Sequence, residues 1–264
     1  MNELLEYNVG NLSVFSSPLL DSLGFLVHAF GTRDSCPLND RNELLEKNNQ
    51  NSNLLNMLFK REKLGSNLID VYRNCFVDLK QVHSSKVIST QEIKNSNSNI
   101  ADAVVTNQSG LILSIETADC LPVFMVDKVL KVVAAIHAGR QGILKGIIKE
   151  TINKLKSEYG SKPSNLLIAI GPGICGNSYE VGYECIAPFN QYVPESEDAF
   201  IQKDNGKWLL DLPKIVNKQL LNLGVSKEKI GNPGPCTFIN SKNFFSYRRE
   251  GKGVGRQISS ILLV

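Results

Sequence analysis

Two apolar runs, Pro122 to Val126 and Val132 to Ile136, constrain this chain more than any other stretch. Each is short and largely aliphatic, and a polar break at Asp127-Lys128 separates them. That pattern predicts two buried strands joined by a tight turn. Thr117-Ala118-Asp119-Cys120 leads into the first run, and His137-Ala138-Gly139 closes the second. In an antiparallel pair the start of one strand lies beside the end of the next. The thiol of Cys120 and the imidazole of His137, 17 positions apart, are therefore placed at one rim of a sheet. A glycine-containing loop follows, then a helix over 142–158 with Leu144, Ile147, Ile148, Thr151, Ile152 and Leu155 at helical spacing. The loop N–H groups and the helix N-terminus offer an anion site beside the same rim. Spacing alone leaves a plainer alternative open, since a cysteine in an apolar stretch is often an inert buried hydrophobe.

The flanking sequence supplies more strands than helices. Residues 12–31 read as strand, turn, strand, with Arg33 just past the end. Cys75 to Val82 alternates as a strand does, and His83 closes it. Further strands are expected at Lys86–Ser89, Val104-Val105, Leu111–Ile115, Leu166–Ile170, Trp208–Leu212, Phe244–Arg249 and Ile258–Val264. Two short helices separated by an asparagine-rich loop are expected over 41–64, and a polar loop over 95–99. A short helix is expected over Ile186–Tyr192, and one entered through Pro213 and ended by Gly224. Many strands and few helices give an α+β fold with mixed sheets, in one compact domain over residues 1–264.

Charge and cysteine usage narrow the function. A net charge of +3 spread along 264 residues is too weak a signal for nucleic-acid binding. No apolar run has the length of a bilayer span, and the acidic first residues lack a secretory pattern, so a cytoplasmic protein is expected. The six cysteines form no CxxC pair and read as reduced thiols. Only three histidines exist: His28, His83 and His137.

An ordered series of short motifs runs through the chain. It comprises Gln81-Val82-His83, Ala101-Asp102-Ala103, Thr117-Ala118-Asp119-Cys120, His137-Ala138-Gly139 and Gly171-Pro172-Gly173-Ile174. Tyr179-Glu180-Val181-Gly182, Leu210-Asp211-Leu212, Cys236-Thr237, Phe245-Ser246-Tyr247-Arg248-Arg249 and Gly255-Arg256 continue it. In this order the motifs resemble the YfiH/YlmD family, long labelled polyphenol oxidase laccase and now viewed as purine nucleoside phosphorylases. The resemblance implies a fold similar to that of the cytotoxic necrotizing factor deamidases. It also implies a metal, zinc rather than copper, held by His83, Cys120 and His137. These three would be the catalytic set, leaving a fourth ligand position open. His28 falls in no motif and reads as structural.

The implied activity splits a purine nucleoside with phosphate into free base and ribose 1-phosphate. Methylthioadenosine phosphorolysis and adenosine deamination are related activities. Arg33, Arg248 and Arg249 are the candidate phosphate clamps, because guanidinium pairs oxyanions in bidentate fashion; a solvated surface charge is the alternative for Arg249. Asp119, beside a ligand, is expected to contact substrate or to orient an imidazole. A different enzyme class is also open: a Cys120 nucleophile with a histidine base, acting as an amidase on a muropeptide precursor or other amide. The chain departs from the family at Arg140-Gln141, where Trp-Arg is usual, and at Asp34-Ser35-Cys36, where a glycine-rich stretch is usual.

Overall fold

The central hairpin forms as the pattern predicts. In the computed structural model, which describes residues 3–9, 12–34, 75–77, 79–93, 99–193 and 196–264, β8 (Leu121–Asp127) pairs antiparallel with β9 (Val132–Ala138). Leu121 faces Ala138 and Pro122 faces His137, which puts Cys120 beside the end of β9. Buried Asp127 makes the turn: its Oδ1 accepts the N–H groups of Val129 (2.9 Å) and Leu130 (3.0 Å). The expected elements at 41–64, Cys36 and most of 95–99 lie outside the described residues.

The remaining strands are β1 (Leu5–Val9), β2 (Leu12–Ser16), β3 (Leu26–Gly31), β4 (Phe76–Val77), β5 (Val87–Ser89), β6 (Ala103–Thr106) and β7 (Ile112–Thr117). They continue with β10 (Leu166–Ile170), β11 (Glu180–Val181), β12 (Phe200–Gln202), β13 (Trp208–Leu210) and β14 (Gln257–Leu263). Among the described residues the helices are α1 (Pro18–Asp21), α2 (Arg140–Leu144), α3 (Ile147–Tyr159), α4 (Tyr183–Tyr192), α5 (Leu212–Asn222) and α6 (Tyr247–Glu250). One sheet has the order β1-β2-β3-β14-β7-β4, a second β10-β8-β9-β6-β5, and a small third β11-β13-β12. This is the mixed α+β architecture expected.

Alternation along β8 and β9 divides the core in two. Phe124, Val126, Val133 and Ala135 join Phe30, Leu113, Ile115 and Ile261 of the first sheet in one apolar cluster. Val123, Met125, Ala134 and Ile136 join Ile148, Ile152 and Leu155 of α3 and Ile215, Val216 and Leu220 of α5 in the other. The second sheet is thus sandwiched between the first sheet and the helices, with Cys120 and His137 at the rim of its hairpin.

Four local expectations are corrected. The link within 12–31 is the short helix α1, entered by Pro18. Among the described residues of the expected 75–82 strand, Phe76–Val77 alone is extended pairing, apart from an isolated bridge between Lys80 and Ile100. Side chains replace the ladder further on: Gln81 exchanges two hydrogen bonds of 2.8 Å with the Glu116 backbone, and Asp102 collects the N–H groups of residues 82–84. The 142–158 helix begins earlier and breaks at Gly146, whose φ of 85° ends α2 and starts α3 on a new axis. Arg140 and Gln141 are therefore the first helical residues after Gly139, not an extended loop. Finally, Tyr247–Glu250 is a helical turn, because the Ser246 side chain accepts the Arg249 N–H at 3.2 Å.

Candidate metal centre

The hairpin register brings Cys120 and His137 together, and an irregular segment delivers His83. The ligand atoms of the three all lie within 4.8 Å of one another, and Cys120 Sγ is 3.7 Å from His83 Nε2. His137 is buried, Cys120 half-buried and His83 exposed, so the cluster opens to solvent on the His83 side. The main chain closes in from the other side. A Cβ on Gly139 would stand 2.8 Å from His83 Cδ2 and 2.9 Å from Cys120 Sγ, so only glycine leaves the ligands their room.

Fully buried Asp102 organises this centre. Its Oδ1 accepts from His137 Nδ1 at 2.8 Å and from the His83 N–H at 2.9 Å. Its Oδ2 accepts the Ser84 N–H and hydroxyl, both at 2.6 Å. A carboxylate can only accept, so the His137 proton sits on Nδ1 and Nε2 is left for the cluster. The same hydrogen bonds hold His83 at a φ of 58°, a costly conformation for a side-chain-bearing residue. Asp119, at a φ of 90°, is the other such residue beside the cluster.

The three groups tune one another. Burial opposes ionisation of the Cys120 thiol, but the charge of His137 and hydrogen bonds from both imidazoles outweigh it, drawing the thiol down to about 6. Burial likewise opposes protonation of His137, while the Cys120 charge and the Asp102 hydrogen bond raise it. For Asp102, burial is again opposed, here by the His137 and Ser84 hydrogen bonds, and the carboxyl falls to about 2. An N,N,S donor set with a thiolate at neutral pH and a carboxylate behind one imidazole fits a borderline-soft metal ion.

Asp119 does not reach an imidazole. Its Oδ1 accepts the Thr237 hydroxyl and its Oδ2 the Arg248 N–H, both at 2.6 Å, and its carbonyl accepts the Ile174 N–H at 2.8 Å. It ties three loops to the residue before Cys120, and the orienting role falls to Asp102. The arginines separate too. Arg33 lies over the Phe245 ring and pairs with Glu250 at 3.0 Å. Arg249 is turned inward onto the carbonyls of Thr237, Phe238 and Phe244. Arg248 instead lines a cleft of about 360 Å³ with Arg140, Tyr179, Glu180, Glu184 and Lys207. It stacks 4.9 Å from the Tyr179 ring and donates to the Glu180 carbonyl. Burial raises the Tyr179 phenol, against the nearby Arg140 guanidinium and with the Cys120 charge, so the cleft adjoins the cluster. Asp102 and Tyr179 were given no individual role from the sequence. The available signal for Asp102 was an acidic residue between two alanines at the mouth of a buried strand.

Fold and site together define an α+β protein with a His–Cys–His donor set at a sheet rim. Residues 55–264 match the family model described as multi-copper polyphenol oxidoreductase laccase. The chain belongs to this family, among whose proteins the name YfiH recurs. It is 37% identical over 186 residues to the purine nucleoside phosphorylase YfiH of Shigella flexneri, spanning 70% of this chain and 73% of that protein. A purine nucleoside phosphorylase of Corynebacterium glutamicum is 36% identical over 189 residues, spanning 71% of this chain and 74% of that one. The crystal structure of YlmD from Geobacillus stearothermophilus superposes with a TM-score of 0.81 at 21% identity, covering 98% and 99% of the two chains. Among the described residues no helix is long and apolar enough to cross a membrane.

Proposed function

We propose that this chain is a metal-dependent purine nucleoside phosphorylase. The observation that carries the reading is the convergence of His83, Cys120 and His137 beside a cleft lined by Arg140 and Arg248. In phosphorolysis a phosphate oxygen bonds to the ribose C1′ as the bond from C1′ to the purine nitrogen breaks. Arg248 and Arg140 supply the anion clamp, with the Tyr179 ring carrying the Arg248 guanidinium along the cleft wall. Asp102 fixes the His137 tautomer and ring plane, so the centre is preorganised. Zinc held by His83, Cys120 and His137 would supply Lewis-acid polarisation of a substrate oxygen. Multicopper chemistry is a poor match to this chain, which has three histidines, of which His28 lies in β3 and accepts the Ser17 N–H at 2.9 Å. Asp119 acts on substrate through the Arg248 backbone, and Arg33 contributes by steadying Glu250. The reading extends to methylthioadenosine phosphorolysis and adenosine deamination, in a protein of the cytoplasm.

A second reading rests on one observation. Cys120, His137 and Asp102 stand in the order nucleophile, base, orienter, as in thiol hydrolases. Incubation with inosine, adenosine and methylthioadenosine, with and without phosphate, separates the two when combined with elemental analysis. Free base and ribose 1-phosphate formed only with phosphate, with about one zinc per chain that Cys120→Ser loses, is the expected result. A metal-free protein that cleaves an amide and ignores phosphate would overturn the proposal.

A further inference from the structure

Cys175 and Cys236 form a second reactive cluster, apart from the metal centre. The Cys175 N–H donates to Cys236 Sγ at 3.1 Å, and both thiols lie beside one serine hydroxyl. Cys175 Sγ is 3.3 Å and Cys236 Sγ 3.9 Å from the Ser178 hydroxyl. The pair is 61 residues apart in sequence and meets because Gly173 and Cys236 form a bridge, closed by the Thr237 N–H on the Gly173 carbonyl at 3.0 Å. Both are free thiols and half-buried, so small oxidants can reach them. Among the described residues the His83–Cys120–His137 group is the one set of three that could hold a metal, so no third ligand joins this pair. The chemistry left open to it is thiol–disulfide exchange.

We propose that Cys175 and Cys236 are a reversible disulfide site, closed by a peroxide and reopened by a dithiol, that deforms the arginine cleft. Cys236 is the attacking sulfur. Burial disfavours its thiolate, but hydrogen bonds from the Cys175 thiol and from the N–H groups of Ile239, Cys175 and Phe238 outweigh it and lower the thiol. Burial and the Cys236 hydrogen bond raise Cys175, which suits a resolving thiol. The Cys236 thiolate attacks one oxygen of hydrogen peroxide, the O–O bond breaks, and a sulfenic acid forms as hydroxide leaves and is protonated to water. The Cys175 sulfur then attacks the Cys236 sulfur, and its proton departs with the sulfenic hydroxyl as a second water. Two thiols are oxidised to one disulfide and one peroxide is reduced to two waters.

The cleft responds because both cysteines carry its walls. Cys236 precedes Thr237, whose hydroxyl holds Asp119, whose other oxygen holds the Arg248 N–H. Cys175 opens the Gly176–Ser178 turn that delivers Tyr179. Drawing the sulfurs to a bond of about 2 Å moves both strands of this bridge. The effect on turnover rests on the phosphorolysis reading; the cross-link does not.

The test treats the full-length, metal-loaded protein with hydrogen peroxide, blocks residual thiols and maps peptides without reduction. A peptide joining Cys175 to Cys236 is expected, together with a loss of phosphorolysis that dithiothreitol restores and unchanged metal content. Cys175→Ser should show neither the linked peptide nor the reversible loss. Absence of the linked peptide, linkage to any other cysteine, or the same reversible loss in Cys175→Ser would overturn the proposal. A protein that forms the cross-link yet never splits nucleosides keeps the disulfide site and removes the phosphorolysis reading instead.

Discussion

Replacing Asp102 by asparagine keeps the side-chain volume and removes one charge from the centre. The carboxylate accepts from His137 Nδ1 (2.8 Å), the N–H groups of Val82 (3.1 Å), His83 (2.9 Å) and Ser84 (2.6 Å), and the Ser84 hydroxyl (2.6 Å). An amide turned with its oxygen toward His137 points its NH₂ at the Ser84 N–H, donor against donor. The serine hydroxyl can rotate to accept, but the Ser84 N–H cannot, and a buried orphaned donor costs about 1–3 kcal/mol. Loss of charge assistance to the remaining bonds costs a comparable amount, so a destabilisation of about 3–5 kcal/mol is expected. The carboxyl gives an independent scale. Burial works against ionisation, yet the hydrogen bonds hold it at about 2 against an ordinary 3.8, a contribution on the order of 2–3 kcal/mol. Because the folded value is the lower one, this contribution is present above pH 4 and is lost as pH falls toward 2. Urea unfolding of the metal-free proteins should therefore show the variant well below the parent at pH 7, with the gap closing in acid. Metal affinity, read by chelator competition, should fall about 10–100-fold. An Asp102→Asn protein with the parent's unfolding midpoint and metal affinity at pH 7 would refute the reasoning.

Three further outcomes follow from the geometry. Arg248→Lys or Arg140→Lys should raise the phosphate KM and lower kcat/KM about 10–100-fold, as loss of a charge-assisted bidentate contact does, whereas Arg33→Lys should leave the phosphate KM unchanged because its guanidinium is paired with Glu250; steady-state kinetics against phosphate decides. In the metal-free protein, iodoacetamide should alkylate Cys120 near its maximal rate at pH 7 and more slowly below about pH 6, where the thiol reprotonates; an inflection near the ordinary 9 would contradict the ion pairing with His137. Gly139→Ala has a permitted backbone (φ −82°), so its effect is steric: the Cβ displaces His83 and Cys120, and metal affinity should drop about tenfold or more with the circular dichroism spectrum unchanged.

What could be read in advance follows from the range of the forces involved. The β8–β9 hairpin and its rim were legible because short apolar runs divided by a polar break are a local signal and pairing geometry is general. His83 was reachable only through the family resemblance, since it lies in an irregular stretch held by Asp102 and Glu116 rather than by a ladder. The Phe244–Arg249 stretch has the aromatic content of a strand, but the Ser246 cap and the inward turn of Arg249 onto backbone carbonyls make its second half helical. Among the arginines, residue type could not tell which are engaged. Glu250, which pairs with Arg33, lies 217 positions further on, and Asp119 reaches Thr237 and Arg248 across 118 and 129 positions.

The position of β14 bears on how the chain reaches this state. Residues 257–263 lie between β3 and β7 in the first sheet, so segments near 26–31 and 112–117 stay unjoined until a strand about 140 residues downstream of β7 arrives. Such long-range closure slows folding, because loop entropy must be lost before the ladder rewards it. Until then both strands present open edges and the Phe30–Phe124 stack lacks part of its cover. Until that closure a folding chain exposes two unpaired strand edges at once, each a template for pairing with another chain.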